Sequence, residues 1–140
     1  MATPIERYVN FLKTLSVGGL DELSNYVTAD VHFSDPFNDV TGIDNMHQVF
    51  LDMFENVGPV DFTIMQARGD EETGVLVWKF RARLLNKPWA FKGTTVLKFS
   101  EEGLVSEHVD HWDAARDFYE HLPVIGWLLR VLRRRLAIRA

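Results

Sequence analysis

The sequence contains no cysteine, which excludes disulfide bonds, thiolate nucleophiles and cysteine-bound metal sites. It also contains no long apolar run: its uninterrupted apolar stretches are a few residues long, whereas a membrane-spanning helix needs roughly 20. Residues 1–7 hold no basic segment leading into an apolar run, so no secretory signal is expected. Together these absences favour a cytoplasmic location.

Acidic side chains are absent from the C-terminal end of the chain, which makes the charge distribution uneven. Five of the 15 Lys and Arg residues follow Pro123, whereas all 20 Asp and Glu residues precede it. Residues 1–122 therefore carry ten basic against twenty acidic side chains. A body with this excess of acid argues against nucleic acid as a partner.

The hydrophobic period of the chain changes near Gly58. Hydrophobic residues make up 46% of the 140 residues, enough for one domain with a substantial core. Before Gly58 the apolar residues recur at helical spacing, and after it they mostly alternate as in strands. The predicted helices are 4–16 with Thr3 as N-cap, 20–26, a segment after Gly42 capped by Thr41 or Asp44, and 113–121. The predicted strands are 31–35, 60–68, 74–85, 89–100 and 104–112.

Helices followed by an antiparallel meander are typical of an α+β fold. We predict a cone-shaped, strongly curved antiparallel sheet wrapped on the N-terminal helices, an α+β barrel, over residues 1–122. Such a cone encloses an apolar pocket at its wide end. Residues 123–140 are predicted to form an additional C-terminal helix that packs on this domain or extends it.

The last predicted strand carries polar side chains on a mainly apolar inner face. His108 and Asp110 are two residues apart, so both point to the same side, about 7 Å from each other. Histidine titrates near neutral pH, so the two form either an acid–base pair or a structural polar pair at the mouth of the pocket. His111 points the opposite way. No cluster of His and carboxylates has metal-ligand spacing, so neither a metal site nor another cofactor is predicted.

The order of these elements resembles the nuclear transport factor 2-like superfamily, and within it the ketosteroid isomerases and the SnoaL-like polyketide cyclases. The resemblance covers roughly residues 4–115. Its most specific part is the run Ala29-Asp30-Val31-His32-Phe33-Ser34-Asp35-Pro36-Phe37 followed by Gly42. The superfamily also includes dehydratases, epoxide hydrolases and non-catalytic binding proteins, so it does not fix an activity.

The resemblance implies roles for three residues. Asp35 stands where the isomerases carry their general base, and Tyr8 in Arg7-Tyr8-Val9 stands where they carry an oxyanion-binding tyrosine. Thr95 takes the place of their second oxyanion donor, a protonated aspartic acid, and this is a departure from the family pattern. A hydroxyl can donate a hydrogen bond but does not replace that acid.

The polar wall on the last strand also departs from the isomerases. His108 and Asp110 correspond to apolar pocket residues of the isomerases, while Trp112 matches a family tryptophan. This wall is closer in character to cyclase-like relatives that use His and Asp there.

The carboxylate of Asp35 has an alternative explanation. It could simply make the turn that ends its strand, because Asp-Pro is a common turn sequence.

These observations give a leading hypothesis of metal-free acid–base catalysis on an apolar, carbonyl-bearing small molecule of steroid or polyketide type. The expected catalytic residues are Asp35, Tyr8, His108 and Asp110. The expected substrate-binding residues are Trp112, Thr95, Leu97, Phe50, Phe54, Trp78, Phe80 and Phe37. The alternative from another class is a non-catalytic carrier of a hydrophobic ligand. A third reading is a dimerisation module, and a homodimer is expected because sheets of this superfamily often pair back to back.

The tail, 124–140, combines a wide apolar face with five arginines. On a helical wheel the apolar residues fill an arc of roughly 200°, interrupted by Arg135. An apolar face this wide must be covered. Three partners remain open: the acidic body of the same chain, where the tail could reach the pocket mouth, a second subunit, or an anionic membrane surface.

Overall fold

The computed structural model describes residues 2–15 and 17–138. The N-terminal helix α1 (Pro4–Lys13) begins as the sequence predicts, with Thr3 as its N-cap. Thr3 and Glu6 form a capping box in which each side chain accepts a hydrogen bond from the other's backbone N–H, which satisfies donors at the helix start. The helix ends three residues before the predicted end, and a 3-10 helix (Gly18–Asn25) follows it.

The second long helix starts differently from the prediction. Strands β1 (Val27–Ser34) and β2 (Asp39–Thr41) come first, then α2 (Ile43–Val57). The N-cap of α2 is Gly42, at φ 100°, and neither Thr41 nor Asp44 caps it. A positive φ is accessible to glycine at little cost, so the chain turns sharply here from strand to helix. Asp44 lies in the first turn, where its charge complements the positive end of the helix dipole.

The rest of the chain forms the meander β3 (Asp61–Gly69), β4 (Thr73–Leu84), β5 (Lys87–Phe99) and β6 (Val105–His111). The six strands lie in one curved sheet in the order β2-β1-β6-β5-β4-β3. The sheet is not closed, because β2 and β3 remain at its two edges.

One strand pair departs from the predicted all-antiparallel sheet. β1 and β6 are parallel, whereas every other pair is antiparallel. The helix α2 and four strands (β2 to β5) separate β1 from β6 in the chain, and a connection of that length allows the chain to return in the same direction. The strand prediction also missed β2, a three-residue strand that pairs with the end of β1.

The alternation predicted for β4 is confirmed. Leu76, Trp78 and Phe80 are buried, while Arg81 and Arg83 are exposed on the other face. On β6 the predicted inner row is interrupted, because the pairing with β5 shifts by one residue between Lys98 and Phe99. Val105 is therefore buried in place of Leu104. His108 and Asp110 lie beyond this irregularity and keep their predicted face.

The C-terminal region forms a short helix α3 (Ala114–Asp117), a 3-10 turn (Tyr119–His121) and the helix α4 (Ile125–Leu136). Arg133 of α4 binds the carboxylate of the buried residue Glu120, at 2.8 and 2.9 Å. The apolar side chains of α4 are mostly exposed, so of the three partners left open for them the acidic body of the same chain does not cover them. Arg139 lies outside the described residues. No helix in the described ranges is both long and apolar enough to cross a membrane.

Candidate functional site

A cavity of about 350 Å³ opens between α2 and the inner face of the sheet. Aromatic side chains make up much of its wall, and several of them pack edge to face or stacked against one another. Phe91 and Trp112 stack with ring centroids 4.2 Å apart. The aromatic lining residues are Phe33, Phe37, Phe50, Phe54, Phe62, Trp78, Phe80, Trp89, Phe91, Trp112 and Phe118. A concave, mainly apolar cavity of this size suits a small organic ligand.

Polar side chains occupy a few places in this wall. Four of them, Lys13, Asp52, Asn56 and Asp61, are exposed. The others, Asp35, Asn38, His108 and Asp110, are partly or fully buried. In the described part of the chain, no three His, Asp or Glu side chains come together as metal ligands.

His108 and Asp110 belong to a chain of hydrogen bonds that crosses three strands and reaches α1. His108 Nδ1 lies 2.7 Å from the Tyr8 hydroxyl, and His108 Nε2 lies 2.8 Å from Asp110 Oδ1. Thr95 donates to the same Asp110 oxygen at 2.5 Å, and Trp78 Nε1 donates to Thr95 at 2.8 Å. The side chains of residues 108 and 110, expected about 7 Å apart, lean together into direct contact.

The chemistry of the groups fixes the direction of each bond when Asp110 is ionised. An indole nitrogen can only donate, so the Thr95 oxygen accepts from Trp78 and uses its own proton for Asp110. A carboxylate can only accept, so a neutral His108 carries its proton on Nε2 and leaves Nδ1 as an acceptor. Tyr8 then donates to Nδ1. The two branches of the chain, Trp78 to Thr95 and Tyr8 to His108, therefore both run toward Asp110 Oδ1.

Tyr8 is held in its neutral form. Burial raises the pKa of its hydroxyl well above 10.0, and the negative charge of Asp110 adds to that rise. The side chain is 1% exposed and does not line the cavity. Its hydroxyl is bonded to His108, so Tyr8 lies behind the cavity wall and orients the imidazole. Its role as a direct oxyanion donor stays a prediction. In this arrangement its proton is used in the hydrogen bond to His108.

One oxygen of Asp110 remains open. Oδ1 accepts from Thr95 and His108, whereas Oδ2 makes no hydrogen bond to any residue in 2–15 or 17–138. The side chain is 18% exposed and lines the cavity. A carboxylate that is held by one oxygen and free at the other can accept a proton from a bound molecule.

Asp35 also lines the cavity, but both of its oxygens are engaged. Oδ1 accepts from the backbone N–H groups of Phe37 and Asn38, each at 2.7 Å. The Asn38 side-chain amide lies 3.2 Å from both Oδ1 and Oδ2. This is the arrangement of an aspartate that stabilises a turn through local bonds, the alternative explanation raised by the Asp-Pro sequence.

Six of the eight predicted substrate-binding residues line the cavity: Trp112, Phe50, Phe54, Trp78, Phe80 and Phe37. Thr95 and Leu97 do not, because both are almost completely buried within the sheet. Thr95 instead contributes through its bond to Asp110. Sequence reasoning did not assign Asn38 or Phe118 to the site. The signal for Asn38 was its place three residues after Asp35, a usual distance for an aspartate's turn partner.

Gly93 on β5 explains how Trp78 reaches Thr95. A β-carbon at Gly93 would overlap the six-membered ring of Trp78, so this position must lack a side chain for the indole to lie across β5. Residues 78 and 93 face each other in the strand register, and Thr95 is the next inward residue of β5. The glycine therefore positions the first donor of the hydrogen-bond chain.

Comparison with known proteins identifies relatives of this fold. A model of the SnoaL-like domain family matches residues 5–108. No curated protein matches the sequence significantly. The matched segment contains α1, α2, most of the sheet and His108, and it ends before Asp110 and Trp112.

Solved structures with the same fold share little sequence with this chain. An NTF2-like protein of unknown function from Burkholderia pseudomallei is 15% identical, with a TM-score of 0.72 over 82% of this chain and 94% of that one. A SnoaL-like polyketide cyclase from Agrobacterium tumefaciens is 14% identical, with a TM-score of 0.70 over 98% and 100%. An LEH-like epoxide hydrolase from M. tuberculosis is 17% identical, with a TM-score of 0.69 over 98% and 95%. At these identities the likeness establishes the fold alone.

Proposed function

This chain belongs to the SnoaL-like domain family, and from that membership and the cavity chemistry we propose that it is a small-molecule enzyme. Its reaction is acid–base catalysis by side chains on an apolar, carbonyl-bearing substrate. The observation that carries the proposal is Asp110, which is fixed through Oδ1 and open at Oδ2 in a cavity lined mainly by aromatic rings. Neighbours of this fold named as a polyketide cyclase and an epoxide hydrolase support an enzyme of this superfamily.

The proposed step is proton abstraction from the carbon next to the substrate carbonyl. Asp110 Oδ2 takes the proton, the C–H electron pair forms a carbon–carbon double bond, and the carbonyl π electrons move to oxygen as an enolate. The protonated Asp110 then returns the proton. Return to a different carbon of the enolate system is an isomerisation. If the enolate carbon instead attacks a second carbonyl and the proton goes to the new alkoxide, the reaction is a cyclisation.

The other polar groups have supporting roles in this proposal. His108 and Thr95 hold Asp110 in one orientation, and Tyr8 holds His108. Asp35, with its oxygens engaged by Asn38 and Phe37, shapes the cavity wall and serves as a second carboxylate only if those bonds open. Trp112 lines the cavity and its indole N–H bonds to no described residue, so it is the free donor proposed for the enolate oxygen.

A second candidate function is a non-catalytic carrier of an apolar ligand. The mainly aromatic lining favours it, as does the absence, from the described cavity wall, of a second acid placed like the isomerases' oxyanion donor. A carrier needs the apolar volume but not the open carboxylate oxygen. The two functions therefore differ in what happens when Asp110 loses its charge.

The test measures enolisation directly, without knowledge of the natural substrate. Wild-type protein in D2O is incubated with a panel of apolar cyclic ketones and steroids, and NMR follows both binding and the exchange of protons next to the carbonyl. We expect exchange with at least one ketone, and a loss of about 10²–10⁴-fold in Asp110→Asn. Asp30→Asn, an exposed carboxylate on β1, is the matched control and should exchange at the wild-type rate.

Three other results would contradict the enzyme proposal. Binding without exchange in wild type would favour the carrier. Exchange that survives in Asp110→Asn would remove Asp110 as the base. Neither binding nor exchange with any member of the panel would overturn the proposed substrate class.

A further inference from the structure

The helix α4 presents an apolar face that no described residue covers. Half of the large hydrophobic side chains that are exposed in the described chain lie in 124–138. They are Val124, Ile125, Trp127, Leu128, Leu132, Leu136 and Ile138, with exposures between 51% and 93%. Contiguous exposed apolar side chains of this kind mark an interaction surface.

The helix is attached to the domain through its polar side, which fixes the direction of the apolar side. Arg133 makes two charge-assisted bonds to the Glu120 carboxylate, and Arg130 donates to the Glu120 backbone carbonyl. A β-carbon at Gly126 would overlap that same carbonyl, so the helix backbone lies directly against the 3-10 turn. The Glu120 side chain is 7% exposed, and Arg133 holds the pKa of this carboxyl below its usual range.

The helical period places the remaining residues outward. At about 100° per residue, Gly126, Arg130 and Arg133 share the side that meets Glu120. Leu128 and Leu132 then lie away from the domain, and Arg135 lies next to Leu128, near the middle of the wider arc from Trp127 to Leu136. The attachment therefore turns the apolar face into solvent instead of toward the cavity, and no described residue of α4 lines the cavity.

The charges on α4 distinguish between two partners that could cover its apolar face, a second copy of this chain and an anionic lipid surface. Arg134 and Arg135 are exposed and form no ion pair with a described residue, and no acidic residue follows Glu120 in the sequence. The helix α4 carries no acidic residue, so a second copy packed against α4 through the same face would leave Arg135 without a partner on that helix in an apolar interface. An anionic lipid surface has the opposite charge, and the long arginine side chain can reach the headgroups while its stem stays among apolar groups.

We propose that α4 is a peripheral docking helix for anionic lipid surfaces. Trp127, Leu128 and Leu132 enter the boundary between headgroups and acyl chains, and Arg134 and Arg135 contact the lipid phosphates. A basic helix with a wide apolar face and a tryptophan has the composition of helices that lie in this boundary. Arg130 and Arg133 are not available to the lipid, because Glu120 holds them as the anchor to the domain.

The proposal is tested by flotation of the full chain with vesicles of two compositions. One set contains phosphatidylcholine alone, and in the other a quarter of the lipid is phosphatidylglycerol. We expect wild type to bind the anionic vesicles more tightly than the neutral ones and to be released at high salt, which screens the headgroup charge. Leu128→Asp/Leu132→Asp should bind the anionic vesicles about tenfold or more weakly.

Charge-reversal variants separate the arginine contribution from net charge. Arg134→Glu/Arg135→Glu should also lose about tenfold or more on anionic vesicles. Arg81→Glu/Arg83→Glu, on the outer face of β4, changes the net charge equally and should leave binding unchanged. All the replaced side chains are exposed, so the fold should survive, and circular dichroism checks this.

Three results would overturn the proposal. Wild type could fail to bind the anionic vesicles. The Arg81/Arg83 control could lose as much binding as the α4 variants, which would indicate a general charge effect. A dimer in sedimentation that Leu128→Asp/Leu132→Asp dissolves, without vesicle binding by wild type, would assign the face to a second copy.

Discussion

Two aspartates line the same cavity, and they are held in opposite ways. Asp35 follows a strand, and all its bonds go to residues two or three positions further along the chain. Asp110 lies at the end of β6, and its carboxylate is held by Thr95 as well as by its neighbour His108, which in turn depends on Tyr8. A local turn occupies both oxygens of the first aspartate. The long-range network occupies one oxygen of the second.

The difference explains why the more recognisable residue is the less available one. Asp-Pro is conspicuous in the sequence because it makes a turn, and the turn consumes the acceptors of Asp35. Asp110 has no local signature, but the sheet brings donors to one side of it and leaves the other side to the cavity. Proton transfer requires an acceptor with a free lone pair and a fixed position, and in this cavity Asp110 has both.

The largest expected effect compares the two aspartates directly. In the deuterium-exchange assay, Asp110→Asn should lose about 10²–10⁴-fold, whereas Asp35→Asn should stay within about tenfold of wild type. The asparagine at 35 keeps an oxygen for the N–H groups of Phe37 and Asn38, so the turn survives. A larger loss in Asp35→Asn than in Asp110→Asn would reverse the comparison and restore Asp35 as the base.

The next effect concerns the stability of the network that holds Asp110. His108→Leu leaves the buried Tyr8 hydroxyl without its acceptor and removes a donor from Asp110. Each group left unpaired in a buried place costs about 1–3 kcal/mol, so the free energy of unfolding should fall by at least that amount in urea titration. His111→Leu, on the exposed face of the same strand, is the control and should change it by about 0.5 kcal/mol or less. Equal effects in both variants would show that the network adds no stability.

The smallest effect is a pH dependence that originates at Tyr8. Its folded pKa is raised above the unfolded value of 10.0, so its contribution to stability is complete below about pH 10. Above that pH the unfolded chain ionises this tyrosine while the folded chain does not, and stability falls by up to about 1.4 kcal/mol per pH unit from this group. The free energy of unfolding, measured from pH 8 upward, should therefore decline less steeply in Tyr8→Phe than in wild type. Parallel curves would mean that Tyr8 is not shielded from ionisation.

The long helices, five of the six strands and the inner residues of β4 could be predicted from periodicity because burial repeats with the geometry of each element. Leu76, Trp78 and Phe80 alternate with charged residues, and this pattern has one consistent explanation. The parallel pairing of β1 with β6 could not be read in this way. Pairing partners depend on how the whole chain folds back, and no local pattern encodes them.

The candidate site was likewise predictable from the sequence only in part. The common face of His108 and Asp110 was predictable from their spacing, and so were six of the aromatic wall positions. The sequence did not predict that the His108 and Asp110 side chains touch, or that Tyr8 lies behind the cavity wall. Both depend on side-chain rotamers, which are set by packing between separate elements of the fold. The outward direction of the α4 apolar face could not be predicted from the sequence either. It depends on Glu120, a buried acid that pairs with Arg133 and so fixes which side of the helix meets the domain.

One short segment touches both the cavity and the helix α4. Phe118 lines the cavity, and two residues later Glu120 anchors α4. A ligand that displaced Phe118 would shift a residue only two positions from the anchor of the helix. By thermodynamic reciprocity, the factor by which such a ligand changes the affinity of α4 for its surface equals the factor by which that surface changes the affinity for the ligand. If displacement of Phe118 shifts Glu120, occupancy of the cavity and the proposed attachment of α4 to a lipid surface depend on each other through the segment 118–120.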